Sequence, residues 1–134
     1  MDTGTMKKVA LVAHDARKPL MLDWVGRHLD IFRQLDLVAT GTTGKTLLES
    51  YPDLRLKRLE SGPRGGDQQI GALIVADEID VLFFFIDPMT PMPHDVDVKA
   101  LLRLAILYDV PCACSPRAAD IILSDLRSRH TETS

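Results

Sequence analysis

Short apolar runs and amphipathic helical stretches alternate strictly along this chain, and that order leaves few folds open. Strand-like runs fall at residues 7–14, 36–39, 54–59, 79–86 and 110–114, and a helical pattern follows each of them. Such an order predicts a parallel sheet with helices on both faces, joined by right-handed crossovers. The strongest strand is Ile79 to Ile86. Its core, Val81-Leu82-Phe83-Phe84-Phe85-Ile86, is the longest apolar run and is far too short to cross a bilayer. Leu54 to Leu59 is weaker and has polar neighbours, which predicts an edge. Pro19 opens the first helix, with Leu22, Val25, Leu29 and Phe32 on one face and Trp24 packed beside them. Ser115-Pro116 starts a last helix that should end near Leu126. A length of 134 residues suits one core. The expected fold is an α/β three-layer αβα sandwich with a five-stranded, mostly parallel, doubly wound sheet. One domain spans residues 7–126, between a disordered 1–6 extension and a frayed polar tail at 127–134.

Charge narrows the partners. A formal net charge of -3 gives no basic footprint for nucleic acid. No run suits a membrane, and Met1 to Thr5 has no apolar signal-peptide region, so a cytoplasmic location is expected. Cys112 and Cys114 stand two apart in an apolar run and read as buried thiols of a reducing compartment.

In doubly wound sheets, ligands bind at the carboxyl ends of the strands. Here those ends carry His14-Asp15 with Lys18, then Thr40-Gly41-Thr42-Thr43-Gly44, then Ser61-Gly62-Pro63-Arg64-Gly65-Gly66-Asp67, then Asp87 and His94-Asp95-Val96-Asp97. Hydroxyls, glycines, imidazoles and carboxylates therefore converge on one edge. The threonine turn has the chemistry to hold a phosphate on backbone N–H groups and hydroxyls. Ala39 to Thr46 also fits a relaxed P-loop with Phe84-Phe85-Ile86-Asp87 as its acidic strand, although it follows the second strand rather than the first. Asp67 reads either as a cap for its helix or as a general base beside an anionic substrate. Its neighbours favour the base. His94 suits the polarisation of a carbonyl. His28 and His130 read as structural or solvated, and no ligand spacing marks a metal site.

Taken in order, Val12-Ala13-His14-Asp15, Ala39 to Gly44, Ser61 to Gln69, Phe84 to Pro88 and Pro93 to Leu104 resemble the methylglyoxal synthase family over roughly residues 7–125. The resemblance implies a lyase that turns dihydroxyacetone phosphate into methylglyoxal and inorganic phosphate with no metal or organic cofactor. It also implies a homohexamer subject to allosteric inhibition by phosphate. It assigns Asp67 as base, with His94 and Asp97 beside it in catalysis. It places His14, Lys18, Thr40, Gly41, Thr42, Thr43, Ser61, Gly62 and His94 on the substrate. Asp15 and Asp87 fall at further acidic positions, and Arg103 falls where an arginine links subunits. Val96 departs from the family's proline, and the family pattern continues past Leu126 with a strand and an arginine-bearing helix. Two other classes share these features. One is a non-catalytic anion-sensing regulatory domain of the same fold, such as ends carbamoyl phosphate synthetases; the other is a P-loop-type nucleotide hydrolase.

Overall fold

In the computed structural model the described residues are 7–89 and 95–133. Strands β1 (Lys8–Ala13), β2 (Leu37–Ala39), β3 (Leu56–Arg58), β4 (Ile79–Phe85) and β5 (Cys112–Ala113) form one sheet in the order β3-β2-β1-β4-β5. Every strand pair is parallel. The chain winds outward from β1 to β3 and then returns to lay β4 on the other side of β1, with Val9 opposite Val81 and Ala13 opposite Phe85. The winding direction therefore reverses between β1 and β4, and the crevice for a ligand opens there.

The helices are α1 (Lys18–Arg27), α2 (Leu29–Phe32), α3 (Gly41–Ser50), α4 (Gly66–Val75), α5 (Asp95–Leu107) and α6 (Pro116–Thr133). They cover both faces, which explains why β4 is apolar at successive positions rather than at alternate ones. Val81, Phe83 and Phe85 pack on one face with Met21, Trp24, Leu47 and Leu123. Leu82 and Phe84 pack on the other with Ile70, Ile74, Val98 and Leu101. Trp24 is the hub of the first core. Its ring meets Phe83 at 4.9 Å, Phe32 at 5.3 Å and Phe85 at 5.5 Å, each edge to face. Such pairs add about 0.5–1.5 kcal/mol each beyond area burial. Its indole N–H donates to Asp120 Oδ1 at 2.8 Å, so the one polar atom of the ring is satisfied by α6.

Three expectations need correction. The first helix breaks at His28, whose backbone leaves helical geometry (φ -128, ψ 30). Met21, Trp24, Val25, Ile31 and Phe32 are buried, whereas Leu22 and Leu29 are only partly so. The tail does not fray after Leu126, because α6 runs on to Thr133. Arg127 holds both oxygens of Asp30 at 2.6 and 3.1 Å and contacts His28 Nδ1 at 3.1 Å, while His130 meets Gln34 at 2.5 Å. The polar residues of this segment are thus the means by which it docks. Finally, the cysteines are not both buried: Cys112 is half-buried and Cys114 is exposed. The last strand is only two residues long, and the chain bends away after Ala113.

Candidate active site

The exits from β1, β2 and β3 share one backbone solution. His14, Thr40 and Ser61 each precede a helical turn with φ between -62 and -63 and ψ between 155 and 158. All three occupy the N-cap position, yet none of their side chains caps its own helix. A capping side chain would consume the free N–H groups at the helix start. Here the three side chains line one cavity instead, of about 220 Å³, together with Asp15, Lys18, Thr42, Gly62, Pro63 and Asp67. Val12, Ala13 and Phe84 form its inner wall.

Glycines let two of these exits touch. Gly41 N–H donates to Glu60 O at 2.9 Å, and a Cβ on Gly41 would stand 2.9 Å from Ser61 N. Gly66 N–H donates to Ser61 O at 2.9 Å, and a Cβ there would lie 2.1 Å from Glu60 O. Gly65 adopts the left-handed conformation (φ 108) that turns the chain into α4. Asp67 follows in the first turn of α4, 4% exposed, and faces the cavity. Gly65 holds the N-cap position, so Asp67 is not the cap of this helix.

Main-chain contacts also orient the histidine. The Asp87 N–H donates to His14 Nδ1 at 2.9 Å, so a neutral ring carries its proton on Nε2. Phe84 supports the ring edge to face at 5.3 Å. Lys18 Nζ bonds Ala13 O at 3.2 Å and Asp15 Oδ1 at 2.5 Å, which places a cation at the mouth of the cavity.

Not every expected residue lines the cavity. Thr43 is 1% exposed and absent from its wall. Its hydroxyl accepts the Ala13 N–H at 3.2 Å and lies 3.4 Å from Thr40 Oγ1, tying α3 to the end of β1. Gly41 supplies the contact between turns described above. Asp87 Oδ1 accepts the Met89 N–H at 3.0 Å, closing its own loop. Lys45 is exposed on α3 and does not line the cavity, unlike the phosphate-reaching lysine of a P-loop. Asp97 lies in the first turn of α5, and Arg103 is exposed on the same helix. His94 lies outside the described residues. Sequence patterns missed Phe84 and Pro63 as walls, because an aromatic in a buried strand carries no separate signal. Among the described residues, no group of three or more His, Cys, Asp or Glu is placed to hold a metal ion.

A parallel sheet whose strand exits build one polar cavity around a buried carboxylate defines a class, and residues 20–114 match the model of the MGS-like domain. The chain belongs to that family, and methylglyoxal synthases of several bacteria match it over most of its length. The methylglyoxal synthase of Rhizobium rhizogenes is 54% identical over 120 residues, covering 90% of this chain and 95% of that protein. That of Cellvibrio japonicus is 52% identical over 118 residues, covering 88% of this chain and 76% of its own. The crystal structure of methylglyoxal synthase from Elizabethkingia anophelis superposes with a TM-score of 0.83 at 47% identity, covering 88% of this chain and 77% of that one.

Proposed function

We propose that this chain is a carbon–oxygen lyase that converts dihydroxyacetone phosphate to methylglyoxal and inorganic phosphate. The observation that carries the reading is Asp67, a buried carboxylate at the start of α4, in one cavity with His14, Lys18, Thr40, Thr42 and Ser61. The hydroxyls, the N–H groups of the glycine turns and Lys18 grip the phosphate. Asp67 removes a proton from the hydroxymethyl carbon. The carbonyl oxygen then gains negative charge and needs a preorganised donor. His94 has that role, His14 Nε2–H adds a second neutral donor, and Asp97 moves protons nearby. The enediolate expels phosphate because the grip keeps the C–O bond out of the enediolate plane; a bond held in the plane would survive, as in an isomerase. Thr43 acts through Ala13 rather than on the substrate.

The same reading places the protein in the cytoplasm as a homohexamer, with Arg103 at a subunit contact. The exposed apolar residues Ile106 and Leu107 on the same helix support a buried assembly surface. Among the described residues, no helix is long and apolar enough to cross a membrane. Turnover of dihydroxyacetone phosphate with and without a chelator tests the activity. Turnover in both is expected. Phosphate binding without turnover would instead make this a regulatory domain, and magnesium-dependent ATP hydrolysis would make it a nucleotide hydrolase.

A further inference from the structure

Gln69 stands in the first turns of α4, two residues after Asp67, and is exposed rather than part of the cavity wall. Its Oε1 nevertheless accepts the Glu60 N–H at 2.7 Å. We propose that Gln69 is a positioning residue for the lyase reaction: it fixes the roll of α4, and with it the setting of Asp67 against the turns that hold the phosphate. This role rests on the synthase reading above.

The edge of the sheet explains why that amide takes a side chain as its partner. β3 is an edge strand, so alternate N–H groups along it point away from β2. Leu59 N–H still reaches Ala39 O at 2.8 Å, whereas the next amide, that of Glu60, is met by α4. Side chains on a helix lean toward its N-terminus, and Gln69 reaches back accordingly. The Glu60 carbonyl accepts the Gly41 N–H at 2.9 Å, at the start of α3. Gln69, Glu60 and Gly41 thus link the helix that bears the base to the threonine turn.

Gly66 N–H also binds this strand exit, at Ser61 O and 2.9 Å. Gly66 and Gln69 are three apart and share one helix face, while Asp67 projects into the cavity. The two fastenings differ in leverage. A main-chain bond lies near the helix axis, on a cylinder of radius about 2.3 Å, and resists sliding better than rolling. The Gln69 amide lies further out and resists the roll. Asp67 must meet the hydroxymethyl carbon while the phosphate stays on Thr40, Thr42, Ser61 and Gly62. A small roll of α4 therefore displaces the base and spares the anion grip.

Gln69→Leu removes the acceptor, and at an exposed position it opens no cavity. With the full chain held well below its melting temperature, kcat for dihydroxyacetone phosphate should fall about tenfold, with inhibition by inorganic phosphate unchanged. Gln69→Glu keeps an oxygen for the same N–H and should restore kcat. A lower melting temperature with unchanged kcat would overturn the proposal. So would equal losses of kcat and phosphate affinity, or failure of glutamate to restore kcat. A binding measurement needs no turnover. 2-Phosphoglycolate joins a phosphate to a planar anion shaped like the enediolate, so it reads both parts of the site. Gln69→Leu should weaken it about tenfold and leave inorganic phosphate unaffected. Absence of that selective loss would overturn the role of Gln69 whether or not the parent turns over. Selective loss in a parent without turnover would count against the synthase reading only.

Discussion

Two parts of this molecule are fastened by different means. The exits from β1, β2 and β3 are locked chiefly by main chain: Gly41 to Glu60, Gly66 to Ser61, His14 to Phe85, and Asp87 N–H to the His14 ring. Helix α6 is fastened by side chains from distant positions: Asp120 to Trp24, Arg127 to Asp30 and His28, and His130 to Gln34. Main-chain locking places the cavity-lining groups within narrow limits and leaves little room for a Cβ. Side-chain fastening yields in small steps and transmits little to the cavity. The active site therefore lies where a single added methyl does more harm than the loss of an ion pair.

Substitutions at four positions test that contrast. Asp67→Asn changes chemistry without touching the lock. Its kcat should fall by on the order of 10³, with phosphate binding and melting temperature unaltered, since general-base contributions typically reach at least 10²–10⁴-fold; near-normal turnover would remove Asp67 as the base. Gly66→Ala drives a Cβ against a carbonyl oxygen with nowhere to retreat. A displacement of about 1 Å at the start of α4 should lower kcat/KM by about 10², even though Asp67 remains. Unchanged kinetics in that variant would show that the turn is softer than its contacts imply.

Thr43→Val removes a buried hydroxyl and leaves the Ala13 N–H without its acceptor, a loss of about 1–3 kcal/mol readable as a drop in melting temperature. Thr43→Ser should restore the stability; failure of serine to do so would mean that the hydroxyl is not what ties α3 to β1. Arg127→Gln addresses the other side and should have the smallest effect. Steady-state kinetics should match the parent. Hydrogen bonding from Arg127 holds the Asp30 carboxyl at a pKa of about 2, below the ordinary carboxylate range. Its contribution is therefore present above about pH 4. It is lost as the pH falls through 2, so parent and variant should differ in stability at neutral pH and converge in strong acid. The difference should be small because Asp30 is exposed. A large kinetic effect would erase the distinction between the two parts.

The sequence made the alternation, the central strand and the ligand-binding edge legible, because each depends on local periodicity and on glycine or proline at turns. Asp67 was legible for the same reason: three glycines and a proline surround it. The length of α6 was not legible. Arg127 finds Asp30 across 97 positions, and no local pattern encodes that pairing. The hydroxyl of Thr43 looked like that of any threonine in a phosphate turn until β1 was placed beside it. Cys114 misled for a related reason, since an apolar run says nothing about how soon an edge strand stops.

That brevity at the edges has a consequence for the chain in crowded solution. The segment most prone to cross-β stacking, Val81 to Ile86, pairs with β1 from Val81 to Phe85 and with β5 at Leu82 and Phe83, and Val81 to Phe85 are buried. The strands that do face outward make poor templates. β3 is three residues long and carries exposed Lys57 and Arg58, while β5 is two residues long and follows directly on Pro111. Short, charged or proline-flanked borders discourage strand-to-strand recruitment between molecules. The protein can thus keep a strongly sticky hexapeptide at its centre, provided that β4 is never left waiting for its neighbours as the chain folds.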